Sequence, residues 1–452
     1  MSKVVIVGDL TNSVKDMIVV NMESEMVKKI TSTGNVNVAL CGAGIVGGGV
    51  LYMIKQLRNS PFTVKKVLVR TIDKVRDFEL PNGTTYTTDW NECVDPNEID
   101  LVVELIGGIT VAKDIVFTAL KNNINVVTAN KALIASHMEE LEEILTTSKG
   151  TLGYEAAVGG GIPIIKALQT SIVCSDQVTS VSGILNGTTN FMLSKMATDG
   201  CSYDDVLKEA QSLGFAEADP TADVEGHDAR AKTTILARLA LGCRISESDI
   251  PCVGISSLTK DDFNYAKTLN STIKLVGSVR KSSDTIVQVF VTPCVCPMSG
   301  IIANVNGATN VVQIVSDALG TSYLIGAGAG RFPTANSVVA DMIDIVSSSE
   351  EQPFPVPLNN NMIQDPDYTS RFYVRLNIRD QTGIIMTAGK LCHDNGVSIH
   401  AVLQDPIENP DNVPFVITTE ECRRSQVEAF AKSCGQEDWC LSNPLIMPIL
   451  EE

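Results

Sequence analysis

The sequence predicts an α/β protein in three parts: a doubly wound parallel sheet, an α+β domain and a small ferredoxin-like domain. Three observations carry this reading. Apolar strands alternate with helical segments from Asn35 to about Glu155, as in parallel sheets covered by helices. From Gly159 to Ile325 that alternation gives way to separate strands and longer helices. After a stretch of linker composition, SSSEEQPFPVP, the remainder runs β-α-β-β-α.

Taken in order, residues 1–34 form an N-terminal extension, with a short strand expected at 3–7 and one helix at 23–30. It is too small for a core of its own. The first domain spans 35–158. Its strands are expected at 36–40, 64–69, 100–106, 125–128 and 151–155, its helices up to about Leu57, at 111–122 and at 138–149. An apolar helix at 333–347 is expected to pack back on this domain, so 326–347 completes it. The second domain, 159–325, has strands at 178–184, 273–279 and 286–292 and helices at 203–213 and 228–241. Residues 348–369 read as a linker. The last domain, 370–452, has strands at 371–378, 397–404 and 414–419, helices up to about Asn395 and at 425–434, and a weak last strand at 445–450.

Composition narrows the function. Lysine plus arginine number 35 and aspartate plus glutamate 53, giving a net charge of −18. Such a chain is repelled by nucleic acid and by anionic membranes, so neither is an expected partner. No apolar run reaches the ~20 residues of a membrane helix. The N-terminus has neither an uninterrupted apolar core nor an arginine-rich, acid-poor character, so a cytoplasmic protein is expected. The 12 cysteines are scattered and read as reduced thiols.

Gly42-Ala-Gly44-Ile45-Val46-Gly47 is a GxGxxG loop that follows a strand and opens a helix. In that context it marks a Rossmann-type dinucleotide site. Gly42 permits the tight turn, Gly44 leaves room for the pyrophosphate, and Gly47 brings the helix close to the sheet. The helix N-terminus adds free N–H groups and positive dipole. Where the second strand ends, an NAD-selective site carries an acid for the ribose hydroxyls. This sequence has Arg70, with Lys74 and Arg76 nearby, which suits a 2′-phosphate. NADP is therefore the expected cofactor and NAD the alternative. A solvated basic turn would leave the same trace.

The segment from Gly214 to Lys232 (GFAEADPTADVEGHDARAK) is the richest in chemistry. It holds Glu217, Asp219, Asp223, Glu225 and Asp228. Asp228 and Lys232 are four apart on a helix that starts there, so they share a face. From composition alone, an N-capped helix with a surface ion pair is the favoured reading. His227 adjoins Asp228, but neighbours point to different faces and no nucleophile motif accompanies them, so a triad is rejected. The four histidines are widely separated, so no histidine-based zinc site is expected either.

Taken together, the glycine loop, Thr128-Ala-Asn130-Lys131, Glu155-Ala-Ala-Val158-Gly-Gly160-Gly-Ile162-Pro163, Gly183-Ile-Leu-Asn186-Gly-Thr-Thr-Asn190-Phe191, the Gly214–Lys232 segment and Gly326-Ala-Gly328-Ala-Gly330 resemble the homoserine dehydrogenase family, in its monofunctional form with a C-terminal ACT domain. The resemblance implies reversible, NAD(P)-dependent interconversion of L-homoserine and L-aspartate 4-semialdehyde, on the route to threonine and methionine. It makes Lys232 the proton donor and acceptor. Glu217 and Asp228 bind the substrate, Asp223 is a further candidate, and Lys131 closes a turn beside the cofactor and positions nicotinamide or substrate. Cofactor contacts fall at Gly42, Gly44, Ile45, Val46, Gly47, Arg70, Lys131, Gly214, Glu217 and Gly328. The resemblance also assigns a monovalent cation, sodium, to Glu155, Val158, Gly160 and Ile162; a plain glycine hinge is the alternative. Asn186 to Phe191 is expected to support the site and a dimer sheet.

In the last domain, Asp380-Gln-Thr382-Gly383 stands where ACT domains carry Asp-x-Pro-Gly. A threonine effector site and a bare dimerisation module both remain open. A homodimer or homotetramer is implied. The ~35 residues before the glycine loop leave no room for a kinase portion, which needs a domain of its own. Two other classes stay in view: another ACT-containing NAD(P) dehydrogenase, which would need a histidine–carboxylate pair, and a catalytically silent amino-acid sensor, against which Lys131, Glu217, Asp228 and Lys232 argue together.

Overall fold

In a computed structural model, the described residues are 35–172, 176–347 and 353–450. The strand expected at 3–7 and the helix expected at 23–30 lie outside them.

The first sheet is built from β1 (Val36–Cys41), β2 (Phe62–Leu68), β3 (Thr85–Thr87), β4 (Leu101–Glu104), β5 (Asn125–Thr128) and β6 (Leu152–Gly153). All pair in parallel, in the order β3-β2-β1-β4-β5-β6. The chain winds outward in both directions from β1 and β4. The crevice at the carboxyl ends of those two strands is therefore the expected ligand position. Val38, Leu40, Leu101, Val103 and Val127 are buried in one core, while Ala39, Val102 and Val126 are buried in another on the opposite face. Burial on both faces explains why these strands read as continuous apolar runs.

The helix Arg331–Ser347 returns to this sheet and packs on the helix Ile45–Gln56. The approach is close because Gly49 has no side chain; a Cβ there would lie 2.8 Å from the Arg331 carbonyl oxygen.

The second sheet contains β7 (Val178–Ile184), β8 (Ser271–Ser283), β9 (Ile286–Pro297), β10 (Thr309–Ser316) and β11 (Gly320–Ala327). Helices Gly187–Asp199, His227–Leu241 and Lys260–Thr268 pack against it. Short β12 (Ile363–Gln364) pairs with β9. The C-terminal unit adds β13 (Thr369–Ile378), β14 (Ile399–Leu403), β15 (Val413–Thr419), β16 (Cys422–Arg423) and β17 (Leu445–Ile449), with helices Ile384–Asp394 and Arg424–Cys434. Its order, β17-β13-β15-β14, is the ferredoxin-like one. It has a core of its own, with Phe372, Leu376, Phe415 and Phe430 at its centre.

Several expectations need correction. The second strand stops at Leu68, two residues before Arg70. The strand expected at 151–155 is only β6, and Glu155 already belongs to a 3-10 turn. Lys131 does not merely close a turn; it opens the helix Lys131–Ser136, which Asn130 caps by accepting from the Leu133 N–H. The helix Gly187–Asp199 and the hairpin β10–β11 went unrecognised. The C-terminal unit is not a bead on a loose string: β17 pairs with β9 at Ile449 and Val295, so one sheet runs from β11 to β14. The supposed linker is docked where it is described. The Pro353 carbonyl accepts from Tyr154 Oη at 2.7 Å, and the Val356 carbonyl accepts from Arg238. Among the described residues no helix is long and apolar enough to cross a membrane.

Candidate active site

The glycine loop lies at the carboxyl end of β1. Gly42 has φ +112°, a conformation that L side chains resist, and a Cβ there would sit 2.6 Å from the Leu105 carbonyl oxygen. A Cβ on Gly47 would lie 2.1 Å from the Gly42 carbonyl oxygen, so only glycine lets the helix start this close. At Gly44 the space is open. Gly44 caps the helix Ile45–Gln56 without a side-chain hydrogen bond, so the first N–H groups keep no side-chain partner at the cap. Ile45 is exposed beside it, and Val46 half-buried. This arrangement fits a dinucleotide phosphate.

Across the crevice, β4 ends in a completely buried Glu104. Its Oε1 accepts from the Ile106 and Gly107 N–H groups, and its Oε2 accepts from Thr128 Oγ1 at 2.6 Å. Thr128 Oγ1 in turn accepts from the Asn130 N–H, and Asn130 Nδ2 donates to the Gly108 carbonyl. This chain ties the ends of β4 and β5 together and aims the start of the Lys131 helix. Sequence reasoning missed Glu104. The signal was an acid ending an apolar strand before a Gly-Gly pair.

Arg70 lies exposed just past β2. Arg76, by contrast, is spent on its own loop: it donates to the carbonyls of Thr71, Ile72 and Lys74 and lies over the Tyr86 ring. Arg70 and Lys74 both stay exposed beside that loop. Gly328 lies on the return from β11, where a Cβ would collide with the Asn310 side chain at 2.2 Å.

The proton-bearing cluster gathers side chains from four segments. Asp228 and Lys232 occupy one face of the helix His227–Leu241, and each side chain is no more than 10% exposed. A buried pair replaces the surface pair that composition allowed. Lys232 Nζ donates to Asp228 Oδ2 at 2.7 Å and to the Leu185 carbonyl at 2.7 Å. Lys131 Nζ reaches the other oxygen, Asp228 Oδ1, at 2.8 Å. Asn186 Nδ2 donates to Asp228 Oδ2 at 2.8 Å and to Asp223 Oδ1 at 2.7 Å. His227 is exposed while Asp228 is buried, so they do face apart.

Burial and charge push these groups in different directions. Burial moves Lys232 below the ordinary lysine value, against the opposing pull of Asp228. Lys131 moves up, chiefly through the Asp228 charge. Burial works against the Asp228 carboxylate, but the two ammonium groups outweigh it and hold the group well below the usual range. Asp223 is raised by burial.

Glu217 is exposed on the loop after the helix Tyr203–Ser212, near enough for its charge to act on Lys131. Gly214, at φ +77°, turns the chain into that loop, which docks through Phe215: its ring lies 4.8 Å from Phe191, and its carbonyl accepts from Thr188 Oγ1. Asp219 shapes the loop by accepting from the Thr221 N–H and hydroxyl.

The Glu155–Ile162 turn is buried apart from Gly161. Gly159 and Gly160 both have positive φ. The Gly160 carbonyl accepts from Ser337 Oγ, and a Cβ on Gly160 would strike the Gly328 carbonyl oxygen at 2.3 Å. This turn therefore locks to the Gly328 turn. Both Glu155 carboxylate oxygens accept N–H groups, from Ile165 and Lys166, and burial pushes the group up to about 7.

A dinucleotide-type glycine loop on a parallel sheet, together with a buried lysine–carboxylate pair, is the equipment of a nicotinamide-nucleotide-dependent oxidoreductase. Comparison with known proteins narrows this. Residues 42–155 match the profile of the homoserine dehydrogenase NAD-binding domain, and residues 163–343 match that of homoserine dehydrogenase itself. Homoserine dehydrogenase of Bacillus subtilis is 36% identical over 394 residues, 84% of this chain and 90% of that one. That of Neisseria gonorrhoeae is 36% identical over 437 residues, 92% and 98% of the two chains. The crystal structure of a homoserine dehydrogenase from Thiobacillus denitrificans superposes with a TM-score of 0.86 at 35% identity, covering 92% of this chain and 98% of that one. The chain belongs to the homoserine dehydrogenase family, NAD(P)-dependent oxidoreductases that act on the homoserine hydroxyl.

Proposed function

We propose that this chain interconverts L-aspartate 4-semialdehyde and L-homoserine, with Lys232 moving the proton at the substrate oxygen. One observation carries the reading: two lysines from separate segments close on the same buried carboxylate, Lys131 at Asp228 Oδ1 and Lys232 at Asp228 Oδ2, where burial moves Lys232 down and the Asp228 charge moves Lys131 up. Groups pushed apart in this way divide acid–base work from electrostatic work. A bound nicotinamide supplies the hydride in reduction and takes it in oxidation. In reduction, the Lys232 ammonium stabilises and protonates the alkoxide-like oxygen. In oxidation, its neutral amine takes the hydroxyl proton. Lys131, held as an ammonium, positions substrate and nicotinamide. Glu217, Asp223 and Asp228 provide carboxylates for the substrate ammonium. The physiological direction is reduction, toward threonine, methionine and isoleucine.

NADP is the preferred cofactor, supported by the exposed Arg70; an archaeal homoserine dehydrogenase complexed with NADPH is among the structural relatives, at a TM-score of 0.57 and 25% identity over 69% of this chain and 97% of that one. A sodium ion would be held by the carbonyls of Val158, Gly160 and Ile162 with Glu155. Such an ion would share these oxygens, since the Glu155 carboxylate already accepts two N–H groups and the Gly160 and Ile162 carbonyls accept from Ser337 Oγ and the Ile164 N–H, each carbonyl keeping a second lone pair. Its part is structural. The C-terminal unit is an ACT-type module that takes an amino acid, L-threonine being the expected one. Its ferredoxin-like order and the open turn at Gly383, φ +94°, support this. The free edge at β14, with Ile399 and Val402 exposed, supports a homodimer or homotetramer.

The test is a purified-protein assay of nicotinamide reduction with L-homoserine. Turnover with NADP is expected, and Lys232→Ala is expected to lose ~10²- to 10⁴-fold in kcat with substrate binding retained. Full activity in Lys232→Ala would remove the proton-transfer role.

A further inference from the structure

Asn186 stands at a junction that its place in the family match does not explain. Its Oδ1 accepts from the Thr189 N–H at 2.8 Å and from Thr189 Oγ1 at 3.0 Å, capping the helix Gly187–Asp199. That cap fixes which way the amide faces. The nitrogen is left toward the cluster, where it donates to Asp223 Oδ1 and Asp228 Oδ2. The preceding residue, Leu185, presents the carbonyl that accepts from Lys232. The same short stretch therefore grips three of the cluster's charged groups.

The stretch is held firmly from behind. One turn along the helix, the completely buried Asn190 accepts from Lys274 Nζ at 3.0 Å and donates to the carbonyls of Val305 and Thr309. Lys274, only 1% exposed, also donates to the Val305 carbonyl and to Asn306 Oδ1. The helix start cannot swing without breaking this buried set.

We propose that Asn186 is a positioning residue for proton transfer: its single amide nitrogen bridges Asp223 and Asp228 and fixes the Asp228 carboxylate so that Oδ2 meets Lys232 and Oδ1 meets Lys131. The charged groups facing this junction are Asp223, Asp228, Lys131 and Lys232, with Glu217 on the neighbouring loop. Without the amide bridge, two carboxylates repel each other across the gap, and Asp228 loses one of the two donors on Oδ2. The inference rests on the Lys232 reading above.

Serine and aspartate both cap helices about as well as asparagine. Asn186→Ser therefore keeps the cap and removes the bridge. Asn186→Asp keeps the cap and puts a third carboxylate where the donor was. For Asn186→Ser, kcat is expected to fall about tenfold or more, with the KM for NADP and the thermal midpoint near those of the parent. For Asn186→Asp, the acid limb of the oxidation rate is expected to move up by about one pH unit, since added negative charge favours the Lys232 ammonium. Lys232→Ala is measured alongside. If it is inactive while Asn186→Ser keeps parental kcat and pH profile, Asn186 is only a cap and this inference fails alone. If Lys232→Ala stays active, the lysine reading fails and takes this inference with it.

Discussion

The glycine loop follows β1 and the lysine cluster takes Lys131 from the helix that follows β5 of the same sheet, yet the two are built differently. The loop works by missing atoms. Gly47 is set by backbone sterics inside the loop, Gly42 by its positive φ and the Leu105 carbonyl beside it, and at Gly44 the useful feature is empty space. The cluster works by side chains brought from distant segments: Lys131 after β5, Asn186 after β7, Asp223 on the short helix Thr221–Val224, and Asp228 and Lys232 on one helix. The loop is a local code, legible from spacing. The cluster exists only once the chain has folded, and its electrostatics depend on burial. Each half should therefore fail in its own way.

The largest effect is expected in the cluster. Asp228→Asn leaves two lysines facing each other with no shared carboxylate. Because Lys131 and Asp228 both act on Lys232, the loss in kcat should approach that of Lys232→Ala, ~10²- to 10⁴-fold. A purely substrate-binding role would appear instead as a raised homoserine KM at unchanged kcat. In the glycine loop, Gly47→Ala drives a Cβ to 2.1 Å from the Gly42 carbonyl oxygen. The turn must open, so NADP affinity should drop while any residual turnover keeps the parental pH profile. A parental KM for NADP in Gly47→Ala would mean the loop is looser than its geometry.

The junction with the C-terminal unit offers a control far from both. Arg375, on β13, donates to the completely buried Asp262 Oδ1 at 2.7 Å, and Tyr373 Oη donates to the same oxygen. Asp262→Ala leaves the Arg375 charge buried and unpaired, which costs about 3–5 kcal/mol. The thermal midpoint should fall without the pH-profile change expected of the cluster variants. An unchanged midpoint would contradict a firm junction. A smaller effect is expected at Arg70. Arg70→Asp should turn preference from NADP toward NAD by removing the partner of a 2′-phosphate, and an unchanged ratio would discard that role.

The pH dependence sharpens the same comparison. Oxidation needs the neutral Lys232 amine. Because burial lowers this lysine from its ordinary 10.5, the oxidation rate should rise through an apparent pKa below that value. Reduction needs the ammonium, so it should fade over the same range. Rate profiles in both directions check this, and an oxidation limb at or above the ordinary lysine value would contradict it.

What was legible in the sequence follows from the same division. The parallel sheet could be read because strands buried on both faces carry unbroken apolar runs, as in Leu101-Val-Val. The pairing of Asp228 with Lys232 could be read because helical spacing fixes it. The helix Gly187–Asp199 was hidden: its Asn, Thr and Ser residues give little amphipathic contrast, since Thr189, Asn190 and Ser194 are all buried, Thr189 bonded to the cap Asn186 and the other two to tertiary partners. The hairpin β10–β11 was hidden by its glycines, threonines and asparagine. Lys131 pairs with Asp228 by way of a local structure that the sequence did not show. Its helix has only six residues, and its cap, Asn130, is aimed by Glu104 from another strand. Burial decided the rest. Nothing in the spacing of Asp228 and Lys232 distinguishes a solvated pair from one with the water removed.

The central claim is that the Lys232 amine exchanges a proton with the oxygen on the carbon that gains or loses hydride. A crystal structure with homoserine and an unreactive nicotinamide dinucleotide bound tests it most directly. The Lys232 Nζ is predicted within hydrogen-bond reach of the substrate γ-oxygen, about 3 Å, with Asp228 still on the far side of the amine. An amine still closed onto Asp228 and the Leu185 carbonyl, with the γ-oxygen held by some other group and no water between, would contradict it.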